Sequence, residues 1–180
     1  PGRVVYDDPA SIHDPGVRVM RDSLFRRLER VEKELLVEAA YYIPPRPDGT
    51  LEPLRLIGRG VRVRVLTNSL ASNAVIQAFA GSSISRHGLV KVGVELHELR
   101  YEPGPARKRQ LPAGSKAGLH TKTMVFDRKD VFIGSFNLDP RSAVINTEAG
   151  LYIESPELAK KLAAYMATGV APANCSRVLL

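Results

Sequence analysis

His120 and Lys122 stand two apart in a strand-forming run from Leu119 to Phe126. On an extended chain such residues leave from the same face, so both side chains reach one space. The polar segment Asp127-Arg128-Lys129-Asp130 separates this run from Val131 to Asn137, and that pattern predicts a hairpin. With Arg128-Lys129 at the tip, Lys122 is expected opposite Ser135 and His120 opposite Asn137. Directly opposed residues share a face, so four polar side chains should converge on one patch of sheet. Asp127, at odd spacing from the pair, is expected on the other face, bracing the hairpin. Gly134 removes a side chain where a ligand needs to approach the backbone.

The chemistry of such a patch is that of phosphate esters. Lys122 offers a positive charge, and Ser135 and Asn137 offer hydrogen bonds to phosphoryl oxygens. His120 is a nucleophile or an acid–base group able to work near neutral pH. Glu148, on a following strand, is placed to accept a bond from one ring nitrogen and so hold the other in a single tautomer. The same spacing also describes polar residues on the solvated face of an edge hairpin.

The elements that must carry these residues are legible in outline. Asp14-Pro15 has the form of a helix start, and Met20, Leu24, Leu28, Val31 and Leu35 follow at three- and four-residue spacing. Leu35 to Ile43 reads as a buried strand stopped by Pro44-Pro45. A short helix is expected near Leu51 to Ile57, ending at Gly58 or Gly60. Strands are expected over Val61 to Thr67 and Val94 to Leu99, with a helix over Ala71 to Ala80 between them. Arg100 to Lys116 has no periodicity and reads as a basic loop. Strands return at Leu119 to Asp127, Val131 to Asn137 and Thr147 to Ile153. Ser155-Pro156-Glu157 then caps a last helix with Leu158, Leu162 and Tyr165 on one face. Strands alternating with helices point to an α/β sandwich around a mixed central sheet, flanked by helices.

The 180 residues suit one domain over 1–180. With 44% apolar and 25% charged residues, the composition is that of an ordinary globular protein. One cysteine, Cys175, excludes a disulfide framework and a Cys-rich zinc site. No apolar run approaches the roughly 20 residues of a spanning helix. The 26 Lys and Arg outnumber the 19 Asp and Glu, and the net +7 favours anionic partners. The chain begins with proline, which fits processing or a piece of something longer.

Other residues carry two readings each. Asp7-Asp8 and Glu32 with Glu34 suit metal ligands less well than surface or turn carboxylates. Arg62 and Arg64 serve either a phosphate-facing rim or a sheet face covered by their stems. The loop from Arg100 to Lys116 either meets anionic headgroups or is simply solvated. Tyr41 and Tyr42 either edge the site or pack. Thr67-Asn68-Ser69 ends a strand, where α/β sheets often carry site residues, and it is also ordinary turn chemistry.

His120-Thr121-Lys122, Asp127 and Gly134-Ser135-Phe136-Asn137 reproduce the pattern HxKxxxxD…GSxN, and in this the chain resembles the phospholipase D superfamily. Glu148 stands where that family has a downstream acid. The wider match, carried by Val5 to Pro9, Arg59 to Ser69, Gly93 to Leu96 and Gly134 to Glu148, is similar to the C-terminal half of bacterial cardiolipin synthase-like proteins. The resemblance implies a phospholipase D-like sandwich that forms one half of a pseudo-twofold pair. It implies phosphatidyl or other phosphodiester transfer through a phosphohistidine, with a second histidine protonating the leaving alcohol. It implies His120, Lys122, Asp127 and Glu148 as catalytic residues, Lys122, Ser135 and Asn137 as phosphate-binding residues, and neither metal nor cofactor. The implied partners are a phospholipid at a membrane surface and a second phospholipase D-like half, upstream in the same chain or on a homodimer partner. The implied location is the cytoplasmic side of a bacterial inner membrane, peripherally bound.

Two departures from the family stand out. Phe79-Ala80-Gly81-Ser82-Ser83 occupies the place where such synthases carry His and Tyr, and only one HxKxxxxD motif is present. The alternatives are therefore a one-motif, homodimeric, nuclease-like phosphodiesterase, for which nucleic acid is a candidate substrate, and a half-domain that binds phosphate or a partner without turnover.

Overall fold

The computed structural model describes residues 1–10, 17–43, 52–72, 85–102, 104–105 and 118–180. Its strands are β1 (Gly2–Tyr6), β2 (Glu34–Ala39), β3 (Arg62–Asn68), β4 (Glu95–Leu99), β5 (Lys122–Phe126), β6 (Asp130–Gly134), β7 (Ala149–Glu154) and β8 (Cys175–Arg177). The helices are α1 (Val19–Leu28), α2 (Glu52–Gly58), α3 (Pro140–Val144) and α4 (Pro156–Gly169), with residues 85–91 also helical. The strands form one sheet in the order β1-β7-β6-β5-β2-β3-β4-β8. Pairing is parallel for β2–β3 and β3–β4 and antiparallel elsewhere, so the sheet is mixed. These directions bring the carboxyl ends of β1, β2, β3, β4 and β6 and the amino ends of β5 and β7 to one edge.

β2 is buried at every position, its two glutamates included, because helices cover both of its faces. Leu35, Val37 and Ala39 join Met20, Leu24 and Leu28 of α1 in the larger core. Leu36 points the other way, to Val125, Val131 and the α4 residues Ala159, Ala163 and Met166. Each large side chain buried this way contributes roughly 1.5–3 kcal/mol.

Several local expectations are corrected. The apolar stripe that begins at Met20 leaves the helix after Leu28, and Val31 and Leu35 are buried from a turn and from β2. On α4 the buried face is Ala159, Ala163, Met166 and Gly169, while Tyr165 is half exposed. Small residues let that helix lie close to the sheet, so the larger side chains move to the flanks. Arg62 and Arg64 both pair with Glu95, and Arg62 also reaches Glu34, so neither lines a phosphate-facing rim. Asp14-Pro15, Pro44-Pro45, and most of the expected 71–80 helix and 100–116 loop lie outside the described residues.

The hairpin register is shifted by one residue. Thr123 pairs with Ile133 and Phe126 with Asp130, which places Lys122 opposite Gly134 rather than Ser135. The loop holds three residues, 127–129, with Asp127 and Arg128 in the left-handed region at φ of 51° and 54°. Asp127 therefore lies in the turn instead of on the far face of a strand. Gly134 also has a different reason from the expected one. A Cβ there would sit 2.5 Å from the Ala149 carbonyl and 2.7 Å from the Phe132 ring, and one on Gly150, its partner in β7, only 2.1 Å from that ring. The two glycines make room for Phe132, which packs on Tyr152 with centroids 5.1 Å apart.

Candidate active site

His120 precedes β5 on backbone that is pinned on both sides. The Asn68 side chain, buried at the end of β3, accepts from Leu119 N at 2.7 Å and donates to Leu119 O at 2.9 Å. Its amide thereby pairs with Leu119 as a neighbouring strand would. On the other side Ala40 N donates to Thr121 O at 3.2 Å. The His120 ring between these anchors is exposed and makes no hydrogen bond among the described residues. Its carbonyl accepts from Lys122 Nζ at 2.8 Å.

Lys122 is 7% exposed. Burial holds its ammonium pKa below the ordinary lysine value, and the negative charges of Glu148 and Asp139 offset part of that shift. The site therefore contains a buried cation within electrostatic reach of two acids. Asp139 caps α3 by accepting from Ser142 N at 2.7 Å, with Pro140 at the first helical position. Burial, with Glu148 adding to it, raises the Asp139 carboxyl above its usual range, while the backbone N–H groups of α3 pull the other way.

Ser135 and Asn137 reach this edge by a different route from the expected one. β6 ends at Gly134, and the chain bends towards β2, where Leu138 bridges Tyr42 and its carbonyl accepts from Ile43 N at 2.7 Å. Asn137 Oδ1 is buried without a hydrogen-bond partner among the described residues. Unsatisfied buried acceptors are uncommon in folded proteins.

Glu148 does not bond the His120 ring. Its Oε2 accepts from the Ser135 hydroxyl and its Oε1 from Asn146 Nδ2 at 3.1 Å. The physical reason lies in the register: Ser135 N donates to Ala149 O at 2.8 Å, which sets Ser135 beside Glu148, whereas His120 lies one strand further away. Asp7, whose sequence context suited a surface or turn carboxylate, is 5% exposed and supports Glu148 from behind. Its Oδ1 accepts from Met20 N at 2.9 Å and its Oδ2 from Glu148 N at 3.0 Å, joining the start of α1 to the site. Arg18 fastens α3 similarly, donating from Nε and Nη2 to the Val144 carbonyl.

Asp127 is at the opposite end of the hairpin. Its carboxylate accepts from the backbone N–H groups of Glu32, Lys33 and Glu34 at 2.8–3.3 Å. Burial alone would raise its pKa, but these three donors and Lys129 outweigh burial and hold it below the ordinary carboxylate value. Its brace is to β2, away from His120.

Asn146 and Asp139 carry no functional reading in the sequence, and the strand-end or turn reading of Asn68 and the surface reading of Asp7 both miss the contacts seen here. Asp139-Pro140 carries a helix-start signature that marks it. Asn146 has no local signal, since its role depends on a carboxylate folded back onto it. Tyr42 is buried in the core and Tyr41 half buried. Among the described residues, no three His, Cys, Asp or Glu side chains gather as metal ligands would.

A family model described as "Cardiolipin synthase, PLD-like domain" matches residues 24–168. Cardiolipin synthase C of Escherichia coli (strain K12) is 39% identical over an alignment of 163 residues that covers 88% of this chain and 34% of that protein. The chain thus spans about a third of the length of this curated relative. Among solved structures, the phospholipase D family member Nuc from Salmonella typhimurium matches with a TM-score of 0.72 at 15% identity, over 100% of this chain and 99% of that one. Phosphatidylserine synthase from Haemophilus influenzae Rd KW20 matches with a TM-score of 0.71 at 16% identity, over 98% of this chain and 40% of that one. At such identities the structural likeness speaks to the fold alone.

Proposed function

Since the chain belongs to the family of cardiolipin synthase, phospholipase D-like domains, we propose that it supplies one half of a phosphatidyltransferase acting on phospholipids at a membrane surface. The observation that carries this reading is an exposed His120, held on pinned backbone, beside the buried cation Lys122. A histidine nitrogen attacks phosphorus and forms a phosphohistidine, and the P–O bond to the leaving alcohol breaks. A second histidine, supplied by the other half, protonates that alcohol and then takes the proton of the incoming alcohol. Attack by this alcohol releases the histidine and completes the transfer. Lys122 neutralises charge on the non-bridging oxygens, and Ser135 and Asn137 border the same space. Asp127 contributes by holding the hairpin against β2.

One motif serves one side of the phosphorus, so the other half must come from elsewhere in a longer chain or from a second copy. The first arrangement agrees with the share of the Escherichia coli relative that is matched. A one-motif phosphodiesterase that completes its site by self-association is the second reading. It is favoured by the single HxKxxxxD motif in the sequence, and nucleic acid is then a substrate to test, given the net +7. Among the described residues no helix is long and apolar enough to cross a membrane, and the proposed location is peripheral, on the cytoplasmic face of a bacterial inner membrane.

Turnover by a complete two-motif protein is measured on phosphatidylglycerol vesicles, alongside this chain at a concentration where it is monomeric. The complete protein is expected to turn over and the dilute monomer to be inactive. Steady turnover by a proven monomer overturns the half-site reading. Dialysis against excess EDTA is expected to leave the rate unchanged, because Lys122 occupies the role a divalent ion would take. A loss restored by magnesium, calcium or zinc overturns that assignment.

A further inference from the structure

The backbone that carries His120 runs beyond both of its neighbouring strands. β6 ends at Gly134, opposite Lys122, and β2 ends at Ala39, so no strand ladder reaches Leu119. The N–H and C=O of Leu119, a residue 8% exposed, would lie buried without partners there. Asn68 supplies the missing rung. Its Oδ1 accepts from Leu119 N, and its Nδ2 donates to Leu119 O and, at 3.2 Å, to Ala40 O. The Ala40 carbonyl also accepts from Thr67 Oγ1 at 3.2 Å, while Ala40 N donates to Thr121 O. One buried amide thus joins the ends of β2 and β3 to the residue before His120.

The amide has one orientation. Ser72 Oγ donates to Asn68 Oδ1 at 3.4 Å and to the Leu99 carbonyl at 3.3 Å. A flipped amide would set N–H against N–H and oxygen against two carbonyls. A side-chain amide combines an acceptor with two N–H donors, and glutamine would place them one methylene too far out. The His120 ring makes no hydrogen bond among the described residues, so its place in the site follows from its backbone. That backbone also carries the carbonyl that accepts from Lys122 Nζ. A shift at Leu119 therefore moves the histidine and the ammonium together.

We propose that Asn68 is a positioning residue of the candidate active site, a side-chain rung that holds His120 and Lys122 in one mutual geometry. The inference rests on the reading of His120 as the attacking group and of Lys122 as the counter-charge of the phosphate. It gives the end of β3 a part in the reaction without contact to substrate. Misplacing a reacting group by about 1 Å costs on the order of a hundredfold in rate. Loss of the rung should therefore lower kcat more than it raises KM.

The test measures turnover of phosphatidylglycerol by the complete two-motif protein, per folded molecule, for Asn68→Ala and Asn68→Asp. Asn68→Ala is expected to lower kcat about tenfold to a hundredfold, with KM changed less than about threefold. Asn68→Asp offers both an acceptor and a donor only when protonated, and burial against two carbonyl oxygens raises its carboxyl pKa. Its kcat relative to wild type should rise as pH falls from about 8 to about 5.5, while the Asn68→Ala ratio stays flat. His120 on the clamped segment and, by register, Glu38 of β2 and His97 of β4 are the titratable groups nearest the amide. The Asn68→Ala ratio carries their titration, and if that variant does not fold, the Asn68→Asp ratio decides alone. A ratio independent of pH for Asn68→Asp, or a kcat equal to that of wild type in both variants, overturns the proposal.

A second arm needs no substrate. In NMR spectra of the full chain, the His120 ring and Lys122 side-chain signals of Asn68→Asp should depart from wild type at the higher pH and rejoin it at the lower, with the Asp127 turn unmoved. Signals that match wild type throughout overturn the proposal. Displaced signals in a protein whose wild type fails to turn over phosphatidylglycerol support the rung and overturn the phosphatidyltransferase reading instead.

Discussion

The two ends of the β5–β6 hairpin hold residues of the same short motif and treat them in opposite ways. At the turn, Asp127 is saturated by three backbone donors from the start of β2. At the open end, His120 makes no side-chain hydrogen bond among the described residues, Lys122 is a buried cation, and Asn137 Oδ1 has no partner. A group whose hydrogen-bonding capacity is filled by the protein stabilises the fold. A group left short of partners in a buried setting lowers stability and stays available to a ligand. The contrast separates a structural carboxylate from a candidate chemical site within one eight-residue motif.

Substitutions at the two ends should therefore fail differently. His120→Ala is expected to remove at least a thousandfold of turnover in the complete enzyme with no change in thermal midpoint, since the ring touches nothing that holds the fold. A fall in midpoint parallel to the loss of rate would count against this. Lys122→Met is expected to cost about a hundredfold to a thousandfold in kcat/KM. Its stability at neutral pH should match or exceed that of wild type. The sign follows from the depressed pKa: the folded state binds the lysine proton more weakly than the unfolded state, so the charged form opposes folding until pH rises through the folded value. Clear destabilisation of Lys122→Met at pH 7, read by chemical denaturation, would mean the ammonium is a structural partner.

Asp127→Ala should do the reverse and lower stability by about 2–4 kcal/mol, through lost charge-assisted bonds and a left-handed φ that alanine tolerates poorly. Activity per folded molecule should persist. Because the folded pKa of Asp127 is depressed, its contribution is complete above the ordinary aspartate range and disappears as pH falls through the folded value. The stability gap between wild type and variant should accordingly narrow in acid. A gap independent of pH would place the effect in the backbone alone. Glu148→Gln is the smallest expected change, about tenfold in kcat with the circular dichroism spectrum retained. The amide keeps an acceptor for Ser135 but loses the charge that Lys122 feels. A rate equal to that of wild type would remove Glu148 from the site.

The central strands, the mixed sheet and the placing of His120, Lys122, Ser135 and Asn137 near one another were legible in the sequence, whereas the edge strands β1 and β8, helix α3 and the helix over 85–91 were not. The legible features follow from periodicity and from a motif whose spacing is local. Tertiary structure decided what those residues touch. The one-residue shift of the hairpin depends on Asp127 leaving the strand to reach β2, a contact with residues more than ninety positions away. The pairing of Glu148 with Ser135 and Asn146, the Asp7 link to α1 and the Asn68 clamp on Leu119 likewise join distant segments. Periodicity assigns a side chain to a face of its own element, but a hydrogen bond also needs the rotation and offset of a second element. Those are set by packing, such as Phe132 over Gly134 and Gly150, which no short window of sequence contains.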